Sequence, residues 1–287
     1  MDRDDLVASF YTLSGAPNGQ PSRFSLLERL AAAKAAGWAG IGLAGFDYLH
    51  LLAQGERPES LREAVASAGL SVTEIEFLPI DLARSDGEPG DAERLLFEMA
   101  DIFGATQLNV GLVGSLDADD EARAVRALRV IGDAASERGL AVAFEFMPFG
   151  AVKTIEHALR LVEAVRRDNV GVLIDAYHFF RGGSRLESLD GVPGSLITGL
   201  QLDDVPLHAP DDLLTETRHH RLLPGEGELP LEDLIRAVDR TGAVVPVGVE
   251  LLSTDLQQLP VAAAAESVFA ATARVLQRAR THEAQGA

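Results

Sequence analysis

The chain has 287 residues, 47% of them hydrophobic and 24% charged, enough apolar material for the core of one α/β barrel or of two smaller domains. Its 44 acidic against 25 basic residues leave a net charge of −19, a field that repels phosphate backbones and anionic lipid and argues against nucleic acid as a partner. Without cysteine there can be no disulfide, thiolate metal site, iron–sulfur cluster or cysteine nucleophile, so any metal must sit on oxygen and nitrogen ligands.

The opening Met1-Asp2-Arg3-Asp4-Asp5 lacks the basic patch and apolar run of a signal peptide, and no later stretch reaches the roughly 18 apolar residues of a membrane span. A cytoplasmic protein with no membrane partner is expected. From there short apolar or β-branched runs alternate with longer segments of helical period. A strand at Leu6–Phe10 precedes a helix at Phe24–Ala36, and Gly40–Leu43 precedes Pro58–Ser67. Ser71–Phe77 is followed by the helix Ala92–Phe103, Gln107–Val110 by Asp120–Arg138, and Ala141–Phe146 by Ile155–Arg166. Then come Gly171–Ile174 with the glycine-interrupted segment Arg185–Leu196, Ile197–Leu202 with Leu231–Asp239, and Val244–Glu250 with Val261–Arg280. Gly37, Gly69, Gly104, Gly139 and Gly242 follow helical runs, as left-handed C-caps do.

Eight such units, with no Gly-x-Gly-x-x-Gly turn after a first strand, predict one closed (β/α)8 TIM barrel over residues 1–287 rather than an open doubly wound sheet. In that fold the chemistry lies at the C-terminal ends of the strands. Four ends carry a metal-capable side chain: Glu145 in strand five, Asp175 in strand six, Gln201 in strand seven and Glu250 in strand eight. Three carboxylates and an amide oxygen converging on one axis suit a hard divalent cation, Mn²⁺ or Mg²⁺ first, with Co²⁺ or Zn²⁺ able to bind. The alternative for each acid alone is an arginine partner or a loop cap.

His178, three residues past Asp175, is placed to turn back over this point and move a proton or bind the ion, against the simpler role of a loop hydrogen-bonder. The segment Arg218-His219-His220-Arg221 is a basic island ahead of a Pro-Gly-x-Gly turn. Arg221 is expected to orient the substrate rather than hold the fold. The competing reading pairs these arginines with Asp203, Asp204 or Glu226, and it weighs more on Arg218 than on Arg221. Glu76 and Asn109, at the ends of strands three and four, are candidate contacts to substrate hydroxyls. Trp38 is expected to pack at the opposite face, and His50, His157, His208 and His282 show no partner pattern.

The Phe-Glu-Phe around Glu145, Ile-Asp-Ala-Tyr-His from Ile174 to His178, Gln-Leu-Asp-Asp from Gln201, Arg221 ahead of Pro-Gly-Glu-Gly, and Val-Glu ending at Glu250 together resemble the xylose-isomerase-like TIM-barrel superfamily. That superfamily holds sugar isomerases, ketose 3-epimerases, inosose and dehydroshikimate dehydratases and type-IV endonucleases. The resemblance implies one divalent metal on Glu145, Asp175, Gln201 and Glu250, with His178 and Arg221 contacting the substrate, a small polyhydroxylated carbonyl compound. Glutamine at 201, where ketose epimerases usually carry histidine, and the run Arg218–Leu229 look more like the dehydratase branch.

The expected activity is a metal-dependent isomerase or epimerase that abstracts a proton beside a carbonyl, Glu145 and Glu250 serving opposite faces. The alternative is a dehydratase in which His178 is the base and Glu145 or a bound water the acid. A barrel that binds a ligand without catalysis is a further alternative. The net charge and the lack of a multi-histidine cluster stand against an endonuclease, and self-association into a homo-oligomer is left open.

Overall fold

In a computed structural model, which describes residues 6–82, 89–114 and 120–286, eight parallel strands close on themselves in sequence order. They are β1 (Leu6–Ala8), β2 (Gly40–Ala44), β3 (Ser71–Pro79), β4 (Gln107–Gly111), β5 (Ala141–Glu145), β6 (Val170–Asp175), β7 (Ile197–Gln201) and β8 (Val247–Val249). Pairing of β1 with β8 closes the ring through Leu6↔Val247, Val7↔Gly248 and Ala8↔Val249. A parallel strand covered by helices is buried on both faces, which is why β5, β6 and β7 are nearly continuous apolar runs ending in one polar residue.

The outer helices bury one stripe each. In Leu231–Arg240 the inward residues are Leu231, Leu234, Ile235, Ala237 and Val238, the spacing of one helical face. Leu26–Ala36 starts at a capping box, Ser25 with Glu28, and stops at Gly37, whose φ of 99° is a left-handed conformation suited to glycine. Trp38 packs away from the site, donating Nε1–H to the Ala265 carbonyl at 3.1 Å and meeting Phe269 edge-on.

Several boundaries differ from the sequence expectation. Phe10 opens a short helix, Phe10–Ser14, instead of ending β1, and its N–H donates to Glu76 Oε1 at 2.8 Å. β8 begins at Val247 and not at Val244, which is 91% exposed. Arg185–Leu196 holds two short 3₁₀ turns, Leu186–Leu189 and Gly194–Leu196.

Helices also follow strand ends at Gly45–Ala53, Ala176–Arg181, Leu213–His219 and Thr254–Gln257, mostly one or two turns long and too short for a 3.6-residue period to show in sequence. With Phe10–Ser14 they roof the C-terminal end of the barrel. The reading of Met1–Asp5 lies outside the described residues. Among those described, no helix is long and apolar enough to cross a membrane.

Candidate active site

Glu145, Asp175 and Gln201 are the last residues of β5, β6 and β7, and Glu250 follows β8 directly. Register sets their height: Asp175 pairs with Gln201, and Gln201 with Gly248. Above them opens a cavity of about 260 Å³. Glu76, Glu145, Glu250, His178 and Arg221 all face it, whereas Asp175 is wholly buried at its floor. The walls are apolar, with Tyr11, Phe46, Phe77, Val113, Phe149 and Leu214 prominent among them. A space below the roughly 300 to 1,000 Å³ of drug-sized sites fits a small molecule.

A chain of charges links the floor. Asp175 Oδ1 caps the helix Ala176–Arg181 by accepting from His178 N at 2.8 Å, which fixes the histidine backbone one turn above the strand. Asp175 Oδ2 accepts from Arg221 Nη1 at 2.8 Å, and the same nitrogen reaches Asp203 Oδ2 at 2.7 Å and Glu250 Oε2 at 3.3 Å. Thr217 Oγ1 accepts from Arg221 Nη2 at 2.8 Å. The imidazole Nε2 of His178 lies 3.3 Å from Glu145 Oε1 and 3.4 Å from Arg221 Nη2, and its ring is packed edge-on by Phe149 and Tyr177.

This arrangement reverses the weighting expected from sequence: Arg221, 2% exposed, is the arginine bound by carboxylates, and Arg218 has no ion pair among the described residues. Burial would raise Asp175, but the Arg221 and His178 charges outweigh it and hold the carboxyl below its usual range. Asp203, sharing the same guanidinium, is pushed well above it by burial and by the charge of Asp175. Asp204 binds elsewhere: its carboxylate accepts from the N–H groups of Val205, Gly225 and Leu229, so the Pro-Gly-x-Gly turn wraps it. A Cβ at Gly227 would lie 2.3 Å from Asp204 Oδ1.

Two predicted residues lie lower than the cavity. Asn109 pairs with Ala143, two residues below Glu145 on β5, and its side chain accepts from Gln107 Nε2 and donates to Glu74 Oε2 inside the barrel. It is therefore not among the residues lining the cavity. Gln201 Nε2 donates to Ser9 Oγ at 3.2 Å and toward Glu74 Oε2 at 3.4 Å. Glu74, absent from the residues expected at the site, organises this layer, and burial raises its carboxyl despite hydrogen bonds from Ser9 and Asn109. The available signal was its alternation with Glu76, which puts both acids of β3 on the inner face. Room for it comes from Gly42, where a Cβ would lie 2.7 Å from Glu74 Oε1.

Ligand atoms of Glu145, Asp175 and His178 lie within 4.8 Å of one another. Gln201 Oε1 and His178 Nδ1 are buried without a hydrogen-bond partner, a cost that a cation or a hydrogen bond would remove. Carboxylate oxygens, an amide oxygen and an imidazole are the donor set of a divalent ion in a cysteine-free site, so the residues present fit one. His178 stands closer to this point than its sequence placement suggested, while Glu250 is engaged by Arg221.

The profile of the xylose isomerase-like TIM barrel matches residues 30–278. The chain belongs to that family. It is similar to a 3-dehydroshikimate dehydratase of Pseudomonas putida, with 27% identity over 241 residues, 82% of this chain and 37% of that protein. It is also similar to an inosose isomerase of Bacillus subtilis, with 32% identity over 156 residues, 54% of this chain and 55% of the relative. The chain thus spans about a third to a half of the length of these two relatives. Among solved structures it shares its fold with the IOLI protein bearing a bound zinc atom, at a TM-score of 0.79 and 21% identity over 96% of this chain and 98% of that one.

Within this family member the charge state of Glu250 yields a testable consequence. Burial raises its carboxyl to about 8, Glu145, Asp175 and Glu74 add to the rise, and Arg221 opposes it. Below about pH 8 a proton must leave before Glu250 can bind a cation, so Mn²⁺ affinity measured by calorimetry should climb by up to about tenfold per pH unit and level off above. A flat profile between about pH 6 and 8 would leave Glu250 out of the ion's ligands.

Proposed function

We propose that this chain is a divalent-metal-dependent isomerase or epimerase of a small polyhydroxylated carbonyl compound, working by proton abstraction beside the carbonyl. The observation that carries the reading is that Glu145 and Glu250, two carboxylates from β5 and the end of β8, face one small cavity with His178 within 3.3 Å of Glu145. Glu145, Asp175, Gln201 and Glu250 would hold the ion with His178 beside it, and a divalent ion in that place supplies Lewis-acid stabilisation of developing oxygen charge. Mn²⁺ or Mg²⁺ suits the oxygen donors, and the zinc of the IOLI structure shows what that relative's fold accepts.

The remaining steps belong to the chain itself. Glu145 takes the α-proton from one face, and Glu250, the carboxylate at the end of β8, delivers a proton taken from solvent to the other. His178 stays within reach of Glu145 Oε1 to pass that proton on, and Arg221 keeps Asp175, Asp203 and Glu250 together. The phenyl rings of Phe46, Phe77 and Phe149 limit water at the reacting carbon.

A second reading, dehydration, is favoured by Gln201 and by the longer stretch of chain matched by the dehydroshikimate dehydratase. It shares the first proton transfer and differs in expelling a β-hydroxyl. NMR of Mn²⁺-loaded protein in D₂O with keto sugars, inososes and dehydroshikimate is the test. Deuterium at an α-carbon with a rearranged or inverted product supports the isomerase or epimerase, an unsaturated product supports the dehydratase, and no exchange with any of them sinks both.

A further inference from the structure

We propose that Arg218 binds an anionic substituent, a carboxylate or a phosphate, on the substrate of this cavity. The inference rests on the proposed reading only in placing the carbonyl end of a small polyhydroxylated compound at the carboxylate floor.

Two guanidinium groups line the cavity, and their circumstances are opposite. The charge of Arg221 is spent on Asp175, Asp203 and Glu250. Arg218 is exposed in the lining, with no hydrogen bond, ion pair or aromatic ring on its guanidinium among the described residues. Its charge is felt by the Asp212 carboxyl, but Asp212 is bonded to Thr215 N and Oγ1, so among the described residues the Arg218 guanidinium has no carboxylate in contact and stays available to a ligand. The long-range field of a −19 protein repels an anionic ligand, so a site for one needs a local cation at its mouth.

The position is also held firmly. Arg218 lies on the helix Leu213–His219, whose Glu216 is gripped by Arg181 through two hydrogen bonds of 2.7 and 2.8 Å, both side chains about nineteen-twentieths buried. The Tyr177 hydroxyl donates to the Leu213 carbonyl at 2.8 Å. These contacts tie the Arg218 helix to the helix that carries His178, so the backbone of Arg218 keeps a fixed place relative to the floor. From that anchored backbone the guanidinium can meet a planar carboxylate or a phosphate through two parallel hydrogen bonds.

The walls between floor and mouth point the same way. Tyr11, Phe46, Phe77, Val113, Met147, Phe149, as well as Leu214, offer mostly apolar surface. A molecule hydroxylated on every side would lose hydrogen bonds to water against them. One with its polar groups at two ends loses fewer: carbonyl and hydroxyl below, anion above.

Calorimetric binding to the Mn²⁺-loaded protein tests this without requiring turnover. The probes are two matched pairs: quinate against its uncharged methyl ester, and fructose 6-phosphate against fructose. In the wild type the charged member of one pair should bind more tightly, and which pair does so separates a carboxylate from a phosphate ligand. Arg218→Gln should reduce that preference at least about tenfold, and Arg218→Lys should retain part of it. Because Arg218 is exposed and its side chain is bonded to none of the described residues, both variants should unfold in urea as the wild type does. The proposal is overturned if neither charged compound binds at millimolar concentration, if charged and uncharged members bind alike, or if Arg218→Gln leaves the preference intact. The D₂O experiment fails separately: loss of α-proton exchange would sink the functional reading while the affinity ratios still decide the role of Arg218.

Discussion

Exchanging Glu145 for glutamine is expected to lower turnover at least about a hundredfold, the low end of what a general acid or base contributes, and to weaken Mn²⁺ binding at the same time. Glutamine keeps the size of the side chain and an oxygen at the end of β5, so the neighbouring Gly111↔Glu145 register should be undisturbed. What it removes is the anionic charge 3.3 Å from His178 Nε2. Asp175→Asn is the companion variant. Asparagine can still accept from His178 N and start the following helix, but it faces the Arg221 guanidinium without a charge. Chelation of the wild type should lower its melting temperature, since an ion bound only to the folded state stabilises it by mass action. Unchanged Mn²⁺ stoichiometry and affinity in both variants would show that the ion, if any, is held elsewhere.

Arg221→Met should be among the most destabilising substitutions in the chain, by about 3 to 5 kcal/mol in urea unfolding. The methionine fills the space, but Asp175 and Asp203 stay buried with no countercharge. Sequence alone assigns Arg221 to substrate orientation with no part in the fold. The three carboxylates on its Nη1 add a structural task, because breaking one side of a buried ion cluster strands the other. Adding Asp203→Asn to Arg221→Met should recover part of the loss, as one of the stranded charges is gone. A change below about 1 kcal/mol in the single variant would mean that the carboxylates simply take up protons.

The barrel and its polar strand ends are legible in the order of residues alone. Eight apolar runs of strand length, each followed by a helical period, leave few ways to bury both faces of every strand, and the runs around Glu145, Asp175 and Gln201 end in polar side chains after otherwise mostly apolar segments. An isolated acid at the end of such a run is visible because burying it is costly, and that cost does not depend on knowing its neighbours.

Partners across the ring were decided only by the tertiary structure. Nothing in the order of residues says that Arg221 is taken by Asp175, Asp203 and Glu250 while Arg218 has no ion pair among the described residues, because pairing depends on distances between segments 18 to 46 residues apart. Height along the barrel axis was hidden for the same reason. Asn109 and Glu76 both sit near strand ends in sequence, yet register with the neighbouring strand sinks Asn109 into the polar layer around Glu74 and leaves Glu76 at the cavity. The short roofing helices carry no periodicity in their one or two turns, and they supply Tyr11, Phe46, Leu214 and Arg218 to the mouth. The composition of a strand is set by what buries it on each face, whereas the identity of a side chain's partner is set by how the ring closes.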